Sequence, residues 1–228
     1  MNDLERLQQG LATYSATIPS LYLQELFDVT NLTPILEENK QKISLLSLLL
    51  KSFSLALTAH QRINSIYKTN DEFRFGTAHG QNLLLALYNK APLAYSLINN
   101  LEKESIVGIQ KKLDNIGEGE TEASKVREMI GKATISLSYV GEAAAMTMNP
   151  PIVGETICHL SIGEAREVAV WEKGQTLRRK QVSVVLGGDH RVLDGASAAR
   201  FMTAWRQLSE SPTAAFLSMV WWVLENWY

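Results

Sequence analysis

The chain has a single cysteine, Cys158, so an internal disulfide framework is excluded and a reducing compartment is expected. Charge of neither sign dominates. Lys and Arg number 22 against 24 Asp and Glu, giving a formal net charge of −2 and a pI near 6.1, which argues against non-specific nucleic-acid binding. The opening Met1-Asn2-Asp3-Leu4-Glu5 carries no basic-then-apolar leader. No apolar run reaches the roughly 20 residues of a membrane span. The most apolar region, 43–59, is interrupted by Lys51 and four serines and reads as a buried amphipathic helix. His60 and His79 lack ligand spacing with cysteine or carboxylates, so no metal is expected. No repeat or low-complexity tract is present, and Gly117-Glu118-Gly119-Glu120-Thr121 is a polar loop without a phosphate-binding pattern. What remains is one soluble domain over residues 1–228, 46% hydrophobic and able to bury one large core, expected in the cytoplasm or a mitochondrial matrix.

Residues 4–15 read as a short helix and Ile18 to Val29 as an extended segment. Thr33-Pro34 marks a helix start, because proline suits the first turn. Residues 44–59 give the strongest helical pattern. Ile66-Tyr67 and Phe73-Arg74-Phe75 suggest short strands around the polar turn Lys68-Thr69-Asn70-Asp71. Leu83–Leu87 and Leu93–Ile98 read as strands, Ser105–Leu113 as a helix, with another reaching Met129. Three further strands fall near 133–140, 155–162 and 182–187. This irregular alternation predicts an α/β (α+β) fold, a mixed sheet with helices packed on it rather than a doubly wound parallel one.

The chemistry concentrates in Gly188-Asp189-His190-Arg191-Val192-Leu193-Asp194-Gly195. The β-branched run Val182-Ser183-Val184-Val185-Leu186 precedes it as a buried strand. Ala198, Phe201, Met202, Trp205 and Leu208 follow at helical spacing. Asp194 stands where a helix N-cap would stand. A histidine at such a strand-to-helix turn is held on a rigid frame with its ring free, a good position for a general base near neutral pH.

The Asp-His-Arg-x-x-Asp-Gly pattern resembles the signature of the dihydrolipoyl acyltransferase catalytic domains of 2-oxoacid dehydrogenase complexes, relatives of chloramphenicol acetyltransferase. The likeness continues through Ala196–Phe201 and Ser211-Pro212, and covers most of the chain: Thr17-Ile18-Pro19, Asp28-Val29, Lys42-Ile43-Ser44, Arg62-Ile63-Asn64, Asn82 to Asn100 and Asn149-Pro150-Pro151 are similar in order. Thr134-Ile135-Ser136-Leu137-Ser138-Tyr139-Val140-Gly141 is similar to a family strand whose serine donates to the oxyanion. Spacing to Gly141 selects Ser138, alignment on Thr-Ile-Ser selects Ser136, and both point to one face of a strand. Ser138 is preferred, because it also keeps the apolar alternation.

The resemblance implies a chloramphenicol acetyltransferase-like, trimer-forming fold and acyl transfer between thioesters, or from a thioester to a hydroxyl, with coenzyme A or acetyl-CoA as cosubstrate. His190 would be the general base, worth about 10²–10⁴-fold, with its other ring nitrogen held by a backbone carbonyl or by Asp189. Ser138 would stabilise the oxyanion, worth on the order of 3 kcal/mol, and Asp194 would cap the helix and pair with a cation. Histidine and serine would come from different subunits of a homotrimer. Cys158 and His159 are adjacent in a strand, point to opposite faces and cannot form a dyad. Arg178-Arg179-Lys180 reads as a solvated edge rather than a phosphate site.

Several positions depart from the family. Gly10 replaces an arginine that buttresses the active-site aspartate, with Arg6 one turn earlier as a substitute; Leu46-Ser47 replaces an Asn-Asp pair, and Asn89-Lys90-Ala91-Pro92 a Thr-Pro-x-Gly turn. The chain is also shorter than the family between Gly141 and Asn149. No lipoyl or subunit-binding segment is recognised ahead of the domain. These departures favour a free-standing enzyme acting on a small-molecule hydroxyl, against a dihydrolipoyl acyltransferase core or a silent scaffold subunit. The aromatic extension 217–228, with Trp221, Trp222, Trp227 and Tyr228, is expected to pack on the chain or a partner, and is too short to cross a bilayer.

Overall fold

The structure, a computed structural model, describes residues 2–39, 42–68, 73–75, 80–87, 93–116, 121–141 and 145–210. The aromatic extension, Ser211-Pro212, His79, the turn at Asn89–Pro92 and residues 117–120 of the polar loop lie outside the described residues. In chain order the elements are α1 (Asp3–Ser15), β1 (Ser20–Asp28), α2 (Thr33–Glu38), α3 (Leu45–Ala59), β2 (Ser65–Tyr67), β3 (Phe73–Phe75) and β4 (Leu83–Leu87). There follow β5 (Ala94–Ile98), α4 (Ile106–Asp114), α5 (Ala123–Lys132), β6 (Ile135–Tyr139), β7 (Cys158–Glu172), β8 (Gln175–Asp189) and α6 (Gly195–Glu210). Local chemistry sets several starts. Asn2 and Glu5 close a capping box on α1, Pro34 sits in the first turn of α2, and Ser44 caps α3.

Six strands form one mixed sheet in the order β1-β8-β7-β6-β4-β5, with β7-β6 and β6-β4 parallel and the other pairs antiparallel. β2 and β3 pair separately. One face carries Leu83, Leu85, Leu137, Leu160, Val184 and Leu186, which belong to the main core with α3 and α6. At its centre Trp205 meets Phe27 edge-on at 5.1 Å, and its Nε1–H donates to the Leu49 carbonyl at 3.2 Å. The opposite face carries Leu84 and is covered by α1, α5 and the segment at Val153. Segment 145–148 lies directly on β7: Glu164 N donates to the Ala145 carbonyl at 2.9 Å, and Ser161 Oγ donates to Met148 O at 2.5 Å.

Two expectations are corrected. α3 is not amphipathic but buried nearly all round. Its serines remain inside because their hydroxyls are bonded, Ser52 to the Leu49 carbonyl (3.0 Å) and Ser54 to Gln81 Oε1 (2.5 Å). Lys51 is accommodated by donating to the Glu104 carbonyl at 2.7 Å, and burial lowers its pKa against the opposing pull of Glu102 and Glu104. The last two strands run far beyond 155–162 and 182–187. They continue as a two-stranded ribbon to a tight turn at Lys173-Gly174, both with positive φ. The ribbon's exposed Ala169 and Trp171 are as apolar as the half-buried Val168 and Val170 with which they alternate, so the sequence shows no alternation there. Among the described residues, no helix is long and apolar enough to cross a membrane.

Candidate active site

The turn from β8 into α6 is pinned from two sides. Asp189 N donates to the Ile157 carbonyl and His190 N to the Pro19 carbonyl, each at 2.8 Å. Gly188 admits Leu193, whose Cδ2 would lie 2.8 Å from an added Cβ. Asp189 is buried and accepts from Arg191 through the backbone N (3.0 Å), Nε (2.9 Å) and Nη2 (2.7 Å). That partnership holds the guanidinium pKa above its ordinary range. Arg191 also stacks 5.0 Å over the Tyr67 ring.

His190 is exposed at the apex of this turn, and its Nδ1 lies 3.0 Å from the Leu193 carbonyl. Of the two partners expected for that nitrogen, the structure chooses the backbone carbonyl, because Asp189 is engaged by Arg191. A carbonyl only accepts, so the neutral ring carries its proton on Nδ1 and presents Nε2 as a bare acceptor. Asp194 accepts from Ser197 N and Oγ, both at 2.8 Å, and these bonds hold its pKa below the usual carboxylate range. Arg6 lies 3.9 Å from Asp3 on the exposed side of α1, so the buried carboxylate at this turn, Asp189, is met by Arg191 instead.

Polar groups gather on the other sheet face. Ser136 is fully buried, and its hydroxyl is spent on the Cys158 carbonyl (3.3 Å) and Thr156 Oγ1 (3.4 Å). Ser138 instead borders a cavity of about 440 Å³ lined by Leu11, Leu84, Ala86, Tyr95, Pro151 and Val153 among others. Its Oγ lies 2.9 Å from His159 Nε2. His159 is buried, and burial alone pushes its pKa down to about 3, so the ring is neutral. Cys158 faces the core, where burial first and Asp189 second push its thiol pKa up. Strand alternation separates Cys158 from His159 but does not by itself give the pairing of His159 with Ser138. The signal was available: Ile135–Ser138 and Cys158–Ile162 both alternate apolar and polar residues, and parallel pairing of β6 with β7 puts the polar positions side by side.

One chain does not bring His190 and Ser138 together. Ser138 is in register with Ser161, and Ser161 with Val185. From Val185 to His190 the strand rises about 16 Å, and two strand spacings add about 10 Å across. No side chain closes that gap. Arg178 pairs with Glu167, and Arg179 with Glu172 and Asp28, so acids on the ribbon and on β1 balance two cations of the basic run. Among the described residues no group of histidine, cysteine and carboxylates is arranged to hold a metal ion.

A family model, the 2-oxoacid dehydrogenases acyltransferase (catalytic domain), matches residues 5–217. The chain belongs to this family. It is similar to the mitochondrial lipoamide acyltransferase component of the branched-chain α-keto acid dehydrogenase complex of Arabidopsis thaliana, 26% identical over 216 residues, covering 91% of this chain and 44% of that protein. This acyltransferase domain spans about half the length of the curated relatives it matches. Azotobacter vinelandii dihydrolipoamide acetyltransferase superposes with a TM-score of 0.77 at 23% identity, over 93% of this chain and 91% of that one. That structure was studied for the role of a serine, a histidine and an asparagine in the catalytic mechanism. Chloramphenicol acetyltransferase superposes with a TM-score of 0.58 at 12% identity, over 87% and 93%. The mixed sheet flanked by helices is therefore the chloramphenicol acetyltransferase-like fold.

Proposed function

We propose that this domain is the acyl-transfer core of a dihydrolipoyl acyltransferase, moving an acyl group between the thiol of coenzyme A and a dihydrolipoyl thiol. The observation that carries the reading is the state of His190: Nδ1–H is tied to the Leu193 carbonyl, and Nε2 stands free at an exposed turn. His190 takes the proton of the attacking thiol as sulfur bonds to the thioester carbonyl carbon. The tetrahedral oxyanion accepts a hydrogen bond from Ser138. Collapse breaks the other carbon–sulfur bond, and the leaving thiolate recovers the proton from the imidazolium. Asp194 holds the start of α6 and with it the turn.

The order along the chain supports these roles. Ser138, His190 and Asp194 follow one another at the same intervals as the serine, histidine and asparagine of the Azotobacter enzyme, with aspartate here in the asparagine's place. The separation of His190 from Ser138 within one chain supports a site completed between two copies, as a homotrimer provides. The sequence-based preference for a free-standing enzyme acting on a small-molecule hydroxyl finds no support: the curated relatives act in dehydrogenase complexes or an acetoin-cleaving system and are named for lipoamide or dihydrolipoyl groups. The working compartment is accordingly that of a 2-oxoacid dehydrogenase complex.

The test is thioester formation from acetyl-CoA or a branched acyl-CoA with dihydrolipoamide as acceptor. His190→Ala is expected to lower kcat by about 10²–10⁴-fold while leaving the thermal midpoint unchanged. An unaltered rate in the variant, or faster transfer to small alcohols than to dihydrolipoamide, overturns the reading.

A further inference from the structure

We infer that His159 is a positioning residue for acyl transfer: its Nε2–H donates to Ser138 Oγ and leaves the serine's own proton free to point into the cavity. The inference rests on the role proposed above for Ser138. The 2.9 Å contact permits either direction of donation, and the surroundings of the imidazole select one. Nδ1 is buried with no hydrogen-bond partner among the described residues. If the ring proton sat on Nδ1, a buried N–H would be stranded, and such orphans are rarer in proteins than under-satisfied acceptors. The serine would then also have to donate to Nε2, turning its proton away from any bound carbonyl. With the proton on Nε2, the stranded atom is only a lone pair, and Ser138 accepts from one side while its hydroxyl remains available on the other.

The same geometry excludes a serine nucleophile activated by this histidine. Such a dyad must place a cation on the ring while the serine bonds to the acyl carbon. Burial opposes that cation, and among the described residues no carboxylate hydrogen-bonds Nδ1 to orient or stabilise it. His159 is therefore a neutral donor. Its place is rigid, because its backbone and that of Ser136 are in register across β6 and β7, as are Ser138 and Ser161. An oxyanion donor fixed before the reaction costs no reorganisation when charge develops.

The experiment compares His159→Leu, His159→Gln, Ser138→Ala and the Ser138→Ala/His159→Leu double variant with dihydrolipoamide and acyl-CoA. Ser138→Ala is expected to lower kcat by about 10²–10³-fold. His159→Leu is expected to lower it by about tenfold, the order of one lost hydrogen bond, with KM for both substrates unchanged. His159→Gln, whose amide can donate from nearly the same point, restores most of that loss, and His159→Leu adds nothing in the Ser138→Ala background. Wild-type kcat in His159→Leu beside an impaired Ser138→Ala overturns the positioning role and leaves the proposed function intact. Equal losses from His159→Leu in both backgrounds also overturn it, since the residue would then act elsewhere. A Ser138→Ala variant at the wild-type rate overturns the positioning role together with the oxyanion role of Ser138, and a wild-type protein with no transfer at all overturns both readings. Imidazole ¹⁵N shifts provide a readout without turnover: Nε2 is expected to carry the proton at neutral pH, and a proton on Nδ1 refutes the inference.

Discussion

Removing the His159 imidazole should make the protein markedly less sensitive to mild acid. In the fold the ring is fully buried, and desolvation pushes its pKa down to about 3; in the unfolded chain it returns to the ordinary 6.5 or so. The depressed group is a base, so between those values the unfolded chain binds the proton and the fold does not, and stability falls as pH falls. The effect is absent above about pH 7 and grows by about 1.4 kcal/mol for each pH unit below 6.5. At pH 5 His159 alone therefore costs about 2 kcal/mol, a figure set by the unfolded value for any native value well below 5. Urea unfolding of the wild type and of His159→Gln, at pH 8 and pH 5 and one protein concentration, isolates it because the other titrating groups are common to both. The wild type is expected to lose about 2 kcal/mol more than the variant over that interval. An equal loss in the two proteins, with equal m-values, would refute the picture of a neutral buried imidazole.

Three further outcomes follow from the packing. Arg191→Ala strips a buried carboxylate, Asp189, of its cation; denaturant midpoints should show a loss of about 3 kcal/mol, and activity should fall with the turn that carries His190. Gly163→Ala places a Cβ 2.0 Å from the Met146 carbonyl oxygen, so segment 145–148 must move, at a cost of about 1–3 kcal/mol; unchanged stability would show that this segment does not lie on β7. Mixed assemblies of His190→Ala with Ser138→Ala should recover about a quarter of wild-type activity, since random pairing rebuilds that share of inter-subunit sites. No recovery would place both residues in a site within one chain.

The sequence by itself determined the elements whose burial is one-sided or complete. Leu83–Leu87 and Val182–Leu186 have no alternative to a covered strand, and the stripe through Phe201 and Trp205 has none to a helix on the core. Asp189–Gly195 was equally legible, because a general base on a strand-to-helix turn shows in neighbouring residues and the carbonyl that holds the His190 ring is that of Leu193; the backbone contacts to Pro19 and Ile157 that pin the turn come from distant segments. The ribbon beyond Ile162 was not legible, since Val168-Ala169-Val170-Trp171 is apolar throughout although only Val168 and Val170 are half-buried, so no two-residue period shows and only the Lys173-Gly174 turn marks it. One strand's period places Ser138 and Ser136 on the same face, so in the sequence the preference for Ser138 rests on its spacing to Gly141 and the apolar alternation. What lies opposite in the fold supports that preference: the Cys158 carbonyl takes the Ser136 hydroxyl, while the cavity and His159 meet Ser138. Tertiary structure also decided that His190 and Ser138 stand apart in one chain. Strand order and register set that distance, and they arise from pairing between distant segments that no local pattern encodes.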